Sequence, residues 1–67
     1  MMDTIVTFEA KAVHYVDGGY SARVFEYHDG VLMAETWIGE YDSEYEALDI
    51  ARQRIAEYWL LIAQESE

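Results

Sequence analysis

No cysteine and no proline occur among the 67 residues, and only four lysines and arginines do. Without cysteine the chain has neither a disulfide nor a thiolate-bound metal, which fits a reducing compartment. With no proline, repeat or low-complexity stretch there is no linker, so residues 1–67 are expected to form a single domain. No apolar run is long enough to span a bilayer and no basic-then-apolar leader is present, so the expected location is the cytoplasm. The shortage of cations is the most informative lack. Fourteen Asp and Glu face four Lys and Arg, leaving a net charge of −10. Such a field repels nucleic acid and anionic membrane and attracts basic protein surface. It also repels itself, most strongly at low salt, so the charge either has a use or reflects a salty cytoplasm. What is present argues for a folded chain. Hydrophobic residues make up 52% and aromatics 15%, too apolar for a disordered acidic tail. A chain this short buries only about 60% of its unfolded surface, so its core must be efficient.

Two turn signals, Asp17-Gly18-Gly19 and Asp29-Gly30, follow β-like runs. Glycine there supplies the positive φ of tight hairpins. They divide the first half into three expected strands, over about residues 5–16, 20–28 and 31–39. A helix is expected over about residues 44–64. Ser43 is a good N-cap, with Glu46 three residues on to complete a capping box. Leu48, Ala51, Ile55, Trp59 and Ile62 recur at helical spacing as one apolar stripe. The fold class expected is α+β: a three-stranded antiparallel meander packed on one C-terminal helix, βββα.

A two-residue Asp29-Gly30 loop sets His28 opposite Val31, Tyr27 opposite Leu32, Phe25 opposite Ala34 and Ser21 opposite Ile38. A Gly18-Gly19 loop sets Ala12 opposite Phe25, Ala10 opposite Tyr27 and Lys11 opposite Glu26. That register is preferred because it forms an ion pair, whereas an Asp17-Gly18 loop opposes Glu9 and Glu26. By strand alternation, Val6, Phe8, Ala10, Ala12, Val16, Phe25, Tyr27, Leu32, Ala34 and Ile38 share the face under the helix. Tyr15, Ala22, Trp37, Val13, Val24, Glu35, Lys11, Glu26 and Met33 are left on the open face.

Two surfaces are candidate sites. Glu40, Asp42, Glu44, Glu46 and Asp49 place five carboxylates in ten residues, with Tyr41 and Tyr45 among them. Acids three or four apart on a helix lie about 5–6 Å apart, of the order of the phosphate spacing set by ~3.4 Å of rise per nucleotide. The helix dipole alone accounts for acids at a helix start. It does not account for Glu65 and Glu67 near the other end. The second surface is the open sheet face, where Trp37, Tyr15, Met33, Val13 and Val24, with Glu9, Glu26 and Glu35 around them, give an apolar centre and a polar rim. It suits a foreign partner or a homodimer. His14 and His28 read as structural or solvated, Asp17 and Asp29 as turn residues, and Arg52 and Arg54 as partners of Asp49 and Glu57. No catalytic residue, metal site or cofactor is expected, and an enzyme is not.

The segment Ser43-Glu44-Tyr45-Glu46-Ala47-Leu48-Asp49-Ile50-Ala51 resembles the Ser/Thr-x-x-Glu-Ala-Leu-x-x-Ala helix start of HicB-type antitoxins. Gly19-Tyr20-Ser21-Ala22 resembles the start of their second strand. That resemblance implies a βββα half-RNase-H-like layout and a partner that is a small basic ribonuclease toxin. In type, as a short, acidic, Cys-free and Pro-free chain, it is similar to phage-encoded inhibitors of the anti-CRISPR kind, several of which imitate DNA. Both resemblances imply an acidic domain that blocks a basic nucleic-acid-binding protein or nuclease complex. Neither implies direct contact with nucleic acid or a membrane. The residues expected to make contact are Glu40, Asp42, Glu44, Glu46 and Asp49, with Glu35 and Trp37 as a second contact.

Overall fold

Left-handed backbone at two turns decides where the chain reverses. A computed structural model describes residues 3–65. Three strands, β1 (Val6–His14), β2 (Tyr20–His28) and β3 (Val31–Tyr41), form one antiparallel sheet in the order β1-β2-β3. One helix, α1 (Glu44–Glu65), crosses it. The fold is α+β, a βββα meander with its helix last.

Asp29 (φ 53°) and Gly30 (φ 83°) are both left-handed, as a two-residue type I′ hairpin requires. Asp29 also holds the start of β1. Its N–H donates to the Ile5 carbonyl at 2.8 Å, and its Oδ1 accepts from the Ile5 N–H at 3.0 Å. The first turn is longer than the sequence suggests. It spans residues 15–19, closed by Gly18 N–H to the Tyr15 carbonyl and Tyr15 N–H to the Gly19 carbonyl.

That longer turn overturns the expected β1–β2 register. Ala12 pairs with Ala22, Ala10 with Val24 and Lys11 with Arg23, three residues from expectation. An odd slip turns every side chain of a strand to the opposite face. The β2–β3 pairing keeps the expected partners nearest the turn, His28 with Val31 and Tyr27 with Leu32. Irregularities then carry Phe25 opposite Glu35 and Ser21 opposite Glu40. They leave Met33 and Ile38 as extra residues on β3, where a bulge sets two residues against one. Together the shifts rotate β2 and, beside the second turn, Leu32 of β3, while Val6, Phe8, Ala10 and Ala12 stay on the helix side and Glu35 and Trp37 stay outside.

The core therefore uses small residues. Ala22 and Val24 are buried against Ala47 and Ala51, with Phe8, Ile38, Tyr41, Ile50, Ile55 and Tyr58 packed around them. Phe25, Tyr27 and Leu32, expected beneath the helix, lie outside it, and Val16 is fully exposed in the turn. Outside, Lys11 Nζ lies 5.1 Å from the Phe25 ring centre, and the Tyr27 hydroxyl donates to Glu9 at 3.3 Å. The close pair Ala47 and Ala51 admits the helix only above small neighbours. The seam of α1 runs through Ala47, Ala51, Ile55 and Tyr58, and Trp59 is 44% exposed at its edge.

Ser43 caps the helix as expected: its Oγ accepts from the Glu46 N–H at 3.1 Å. Ser43→Ala should lower stability by about 1 kcal/mol with no change in the folded CD spectrum, measured by urea denaturation.

Candidate protein-binding surface

Sheet topology sets the two ends of the molecule apart chemically. The end of β3 lies beside the start of β2, Tyr41 pairing with Tyr20, and the 15–19 turn closes over it, with Gly19 against the Tyr41 carbonyl. Helix α1 begins three residues after β3 ends, at this same end. Glu40, Asp42, Glu44, Glu46 and Asp49 gather here, all exposed, with Asp17 in the adjoining turn and Tyr45 80% exposed. Only Glu46 and Asp49 stand one helical turn apart on the same side. Glu44 and Glu46, two residues apart, diverge by about 200° around the axis. The array is thus a strand-end pair followed by a helix pair, not a single ladder.

Cations are distributed unevenly against these acids. Lys11 pairs with Glu9 at 3.5 Å, Arg23 with Glu35, and Arg54 with Glu57 at 3.3 Å. Among the described residues, no cation pairs with any of the five acids from 40 to 49. Asp49 takes the Gln53 amide at 3.0 Å instead of the expected Arg52.

Glu35 and Trp37 lie on the outer sheet face, as expected, in a network that also takes in Arg23 and Ser21. Arg23 Nε donates to Ser21 Oγ at 2.9 Å and its Nη1 to Glu35. The Trp37 indole N–H donates to the Tyr15 hydroxyl at 3.3 Å. Ser21 is fully buried beneath these groups. Val24 and Glu26, expected on this face, point to the helix side with the rest of the rotated alternate set. Glu35 is neutralised within the chain, and Trp37 remains 54% exposed.

The Trp37 donor, with Ser21 and Arg23, holds the Tyr15 phenol below its ordinary value, against burial and the nearby Glu40. The Glu35 carboxylate, then Tyr15, raises Arg23. A depressed phenol favours the phenolate, so this contribution is absent at neutral pH. It enters as pH rises through the folded value towards the ordinary ~10. In an ultraviolet titration of the six tyrosines, Tyr15→Phe should remove a component that ionises below the ordinary phenol value, and Trp37→Phe should move that component to higher pH.

The histidines sit elsewhere. His14 stacks on Tyr20 with ring centres 4.7 Å apart. His28 Nε2 meets Glu26 Oε2 at 2.5 Å, an i, i+2 pair on one strand face that alternation would have revealed. His28 and Glu26 line a cleft of about 370 Å³ at the far end of the sheet, between β1, β2 and the last turns of α1. Glu65 rims that cleft, and Glu67 lies outside the described residues. Among the described residues, no three His, Asp or Glu side chains converge on a possible metal position. No helix among them is long and apolar enough to cross a membrane.

No family model, curated protein or solved structure matches this chain. The reading of its function therefore rests on its own surface.

Proposed function

We propose that the chain is an inhibitory binding protein and not an enzyme. Its acidic end mimics nucleic acid and occupies the basic nucleic-acid-binding site of a nuclease complex, in the manner of the anti-CRISPR inhibitors it resembles in type. It acts in the cytoplasm of the host cell. One observation carries the reading: five exposed acids at one end have no cation partner among the described residues, while three of the four cations are paired elsewhere. The macrodipole supports Glu44 and Glu46 at the helix start by about 0.3–1 kcal/mol each. It gives no support to Glu40 on the strand, and little to Asp49 in the second turn. Carboxylates fixed on a strand end and a capped helix start can replace phosphates on a Lys/Arg surface and release that surface's counterions. Tyr45 and, further off, Trp37 offer aromatic anchors beside the charge.

Competition tests this directly. Saturating protein should displace DNA or RNA from the target nuclease at moderate salt, with displacement fading as salt rises. Undiminished nucleic-acid binding would overturn the reading.

The βββα layout and the Ser43 cap support a second reading, a HicB-like antitoxin that neutralises a small basic ribonuclease toxin. A basic toxin gene next to this one would favour it, and a prophage setting the first.

A further inference from the structure

The sheet ends on two unequal edges. In the order β1-β2-β3, β1 and β3 each have a neighbouring strand on one side only. An unpaired edge is a template for a further strand, and bulges, proline or charge are its usual guards. β3 is guarded by the irregularities that leave Met33 and Ile38 as extra residues. β1 has no such guard. It runs nine residues against a usual length of about 5–6, with an unbroken register and no proline. Its acidic and basic side chains are one glutamate and one lysine, Glu9 and Lys11.

Hydrogen bonds just beyond both ends of β1 fix which backbone groups face outwards. The Ile5 carbonyl accepts from the Asp29 N–H, and the Tyr15 N–H donates to the Gly19 carbonyl. The register is unbroken between them, so the odd-numbered residues turn their N–H and C=O to β2. Those of Val6, Phe8, Ala10, Ala12 and His14 point away from the sheet, with no strand beside them among the described residues. On the outer face the odd-numbered side chains include Glu9 and Lys11, both half-exposed.

We propose that a second copy of this chain takes this edge, β1 against β1 and antiparallel, about a two-fold axis through Ala10. Length, hydrogen bonding and charge all select that register. Ala10 is the midpoint of Val6–His14, so the overlap is complete. Outward groups then meet outward groups: Ala10 faces Ala10 of the second copy, Phe8 faces its Ala12, and Val6 its His14. On the outer face Glu9 stands opposite Lys11 of the second copy, and symmetry makes the contact twice. Centring the axis on Glu9 keeps the hydrogen-bond pattern but sets Glu9 against Glu9; centring it on Lys11 sets lysine against lysine. Like charges directly opposite are destabilising, and both registers shorten the overlap. α1 packs chiefly over β1 and β2. Its two-fold copy then stands about two strand spacings away, ~10 Å, near the ~8–10 Å at which helices pack. The acidic end adjoins the His14 end of β1, where Tyr20 pairs with both His14 and Tyr41. Antiparallel pairing therefore sends the two acidic ends to opposite ends of the shared sheet, ~30 Å apart, well beyond the ~8 Å screening length.

Sedimentation equilibrium of the full chain should approach twice 7.8 kDa as concentration rises. Lys11→Glu and Glu9→Lys each turn two favourable pairs into two repulsive ones, so each should weaken association about tenfold or more. The double variant Glu9→Lys/Lys11→Glu should restore it. Net charge alone predicts otherwise, since the two single changes move it in opposite directions and only one would weaken the dimer. Amide exchange followed by NMR reads the same register without any substitution. The N–H groups of Phe8, Ala10 and Ala12 should gain protection as the dimer forms, while those of Glu9 and Lys11 are already protected by β2. A chain that stays monomeric at every concentration overturns the proposal, as does a dimer that Glu9→Lys strengthens or that leaves those three amides unprotected. A monomer in which they become protected only when a basic target is added assigns the edge to that partner and overturns it equally. None of these outcomes touches the five acids from 40 to 49, so the nucleic-acid mimic stands or falls on its own competition experiment.

Discussion

Val24→Asp should leave no folded protein, whereas Phe25→Asp, one residue along, should leave the fold standing. Val24 is 1% exposed between Ala22, Ala47 and Ala51. A carboxylate there has no partner, and burying an unpaired charge costs several kcal/mol. A domain of this length has a total stability of only about 3–10 kcal/mol. Phe25 lies on the outer face with Lys11 over its ring. Aspartate at that position forfeits a cation–π contact worth about 0.5–1 kcal/mol and stands opposite Glu9 and Glu35, a cross-strand repulsion of about 0.2–1 kcal/mol each at a solvent-facing site, less than the cost of burying a charge. Circular dichroism and urea titration of the two variants check the orientation of β2 directly. If Phe25→Asp unfolds and Val24→Asp survives, β2 faces the other way, as the expected register has it.

Reversal of Glu40, Asp42 and Asp49 to lysine should weaken capture of a basic nucleic-acid-binding target by about a thousandfold or more, while stability holds or rises. Each reversal removes a charge-assisted contact worth about 1.5–3 kcal/mol and adds a repulsion. These three are chosen because the helix dipole favours Glu44 and Glu46 most, so changing those would confuse binding with folding. Removing negative charge from a chain of net charge −10 relieves its self-repulsion. Competition against nucleic acid reads the binding, and a denaturant midpoint reads the fold. The wild-type interaction should also weaken as the Debye length falls from about 10 Å at 0.1 M salt to about 3 Å at 1 M. A triple variant that still inhibits fully would remove the acidic end from the mechanism.

The slipped β1–β2 register shows where local signals lose their force. Asp29-Gly30 is readable because two residues with positive φ permit one hairpin geometry. Asp17-Gly18-Gly19 permits several, and the local signal that separates them is a Lys11–Glu26 ion pair. Such a cross-strand pair is worth about 0.2–1 kcal/mol. Burial of a side chain such as Val24 is worth about 1.5–3 kcal/mol. Burial prevails, and Lys11 lies opposite Arg23, where each cation turns to an acid of its own. The Arg23–Ser21–Glu35 contacts are hidden for the same reason, whereas strand alternation already sets Tyr15 and Trp37 on one face. The Arg23 contacts exist only once β2 is rotated and the bulged β3 slides past it.

Composition by itself determined the excess of negative charge, and turn and cap residues determined three strands followed by a helix. These are local or additive properties: a φ angle, a capping hydroxyl, a sum of charges. Tertiary structure alone decided which face of β2 is buried and which acids are left without cations. Those outcomes depend on how closely a helix can approach a sheet, and here the approach is set by Ala47 and Ala51 resting on Ala22 and Val24. That fit arises between residues more than twenty positions apart, beyond the reach of any local pattern.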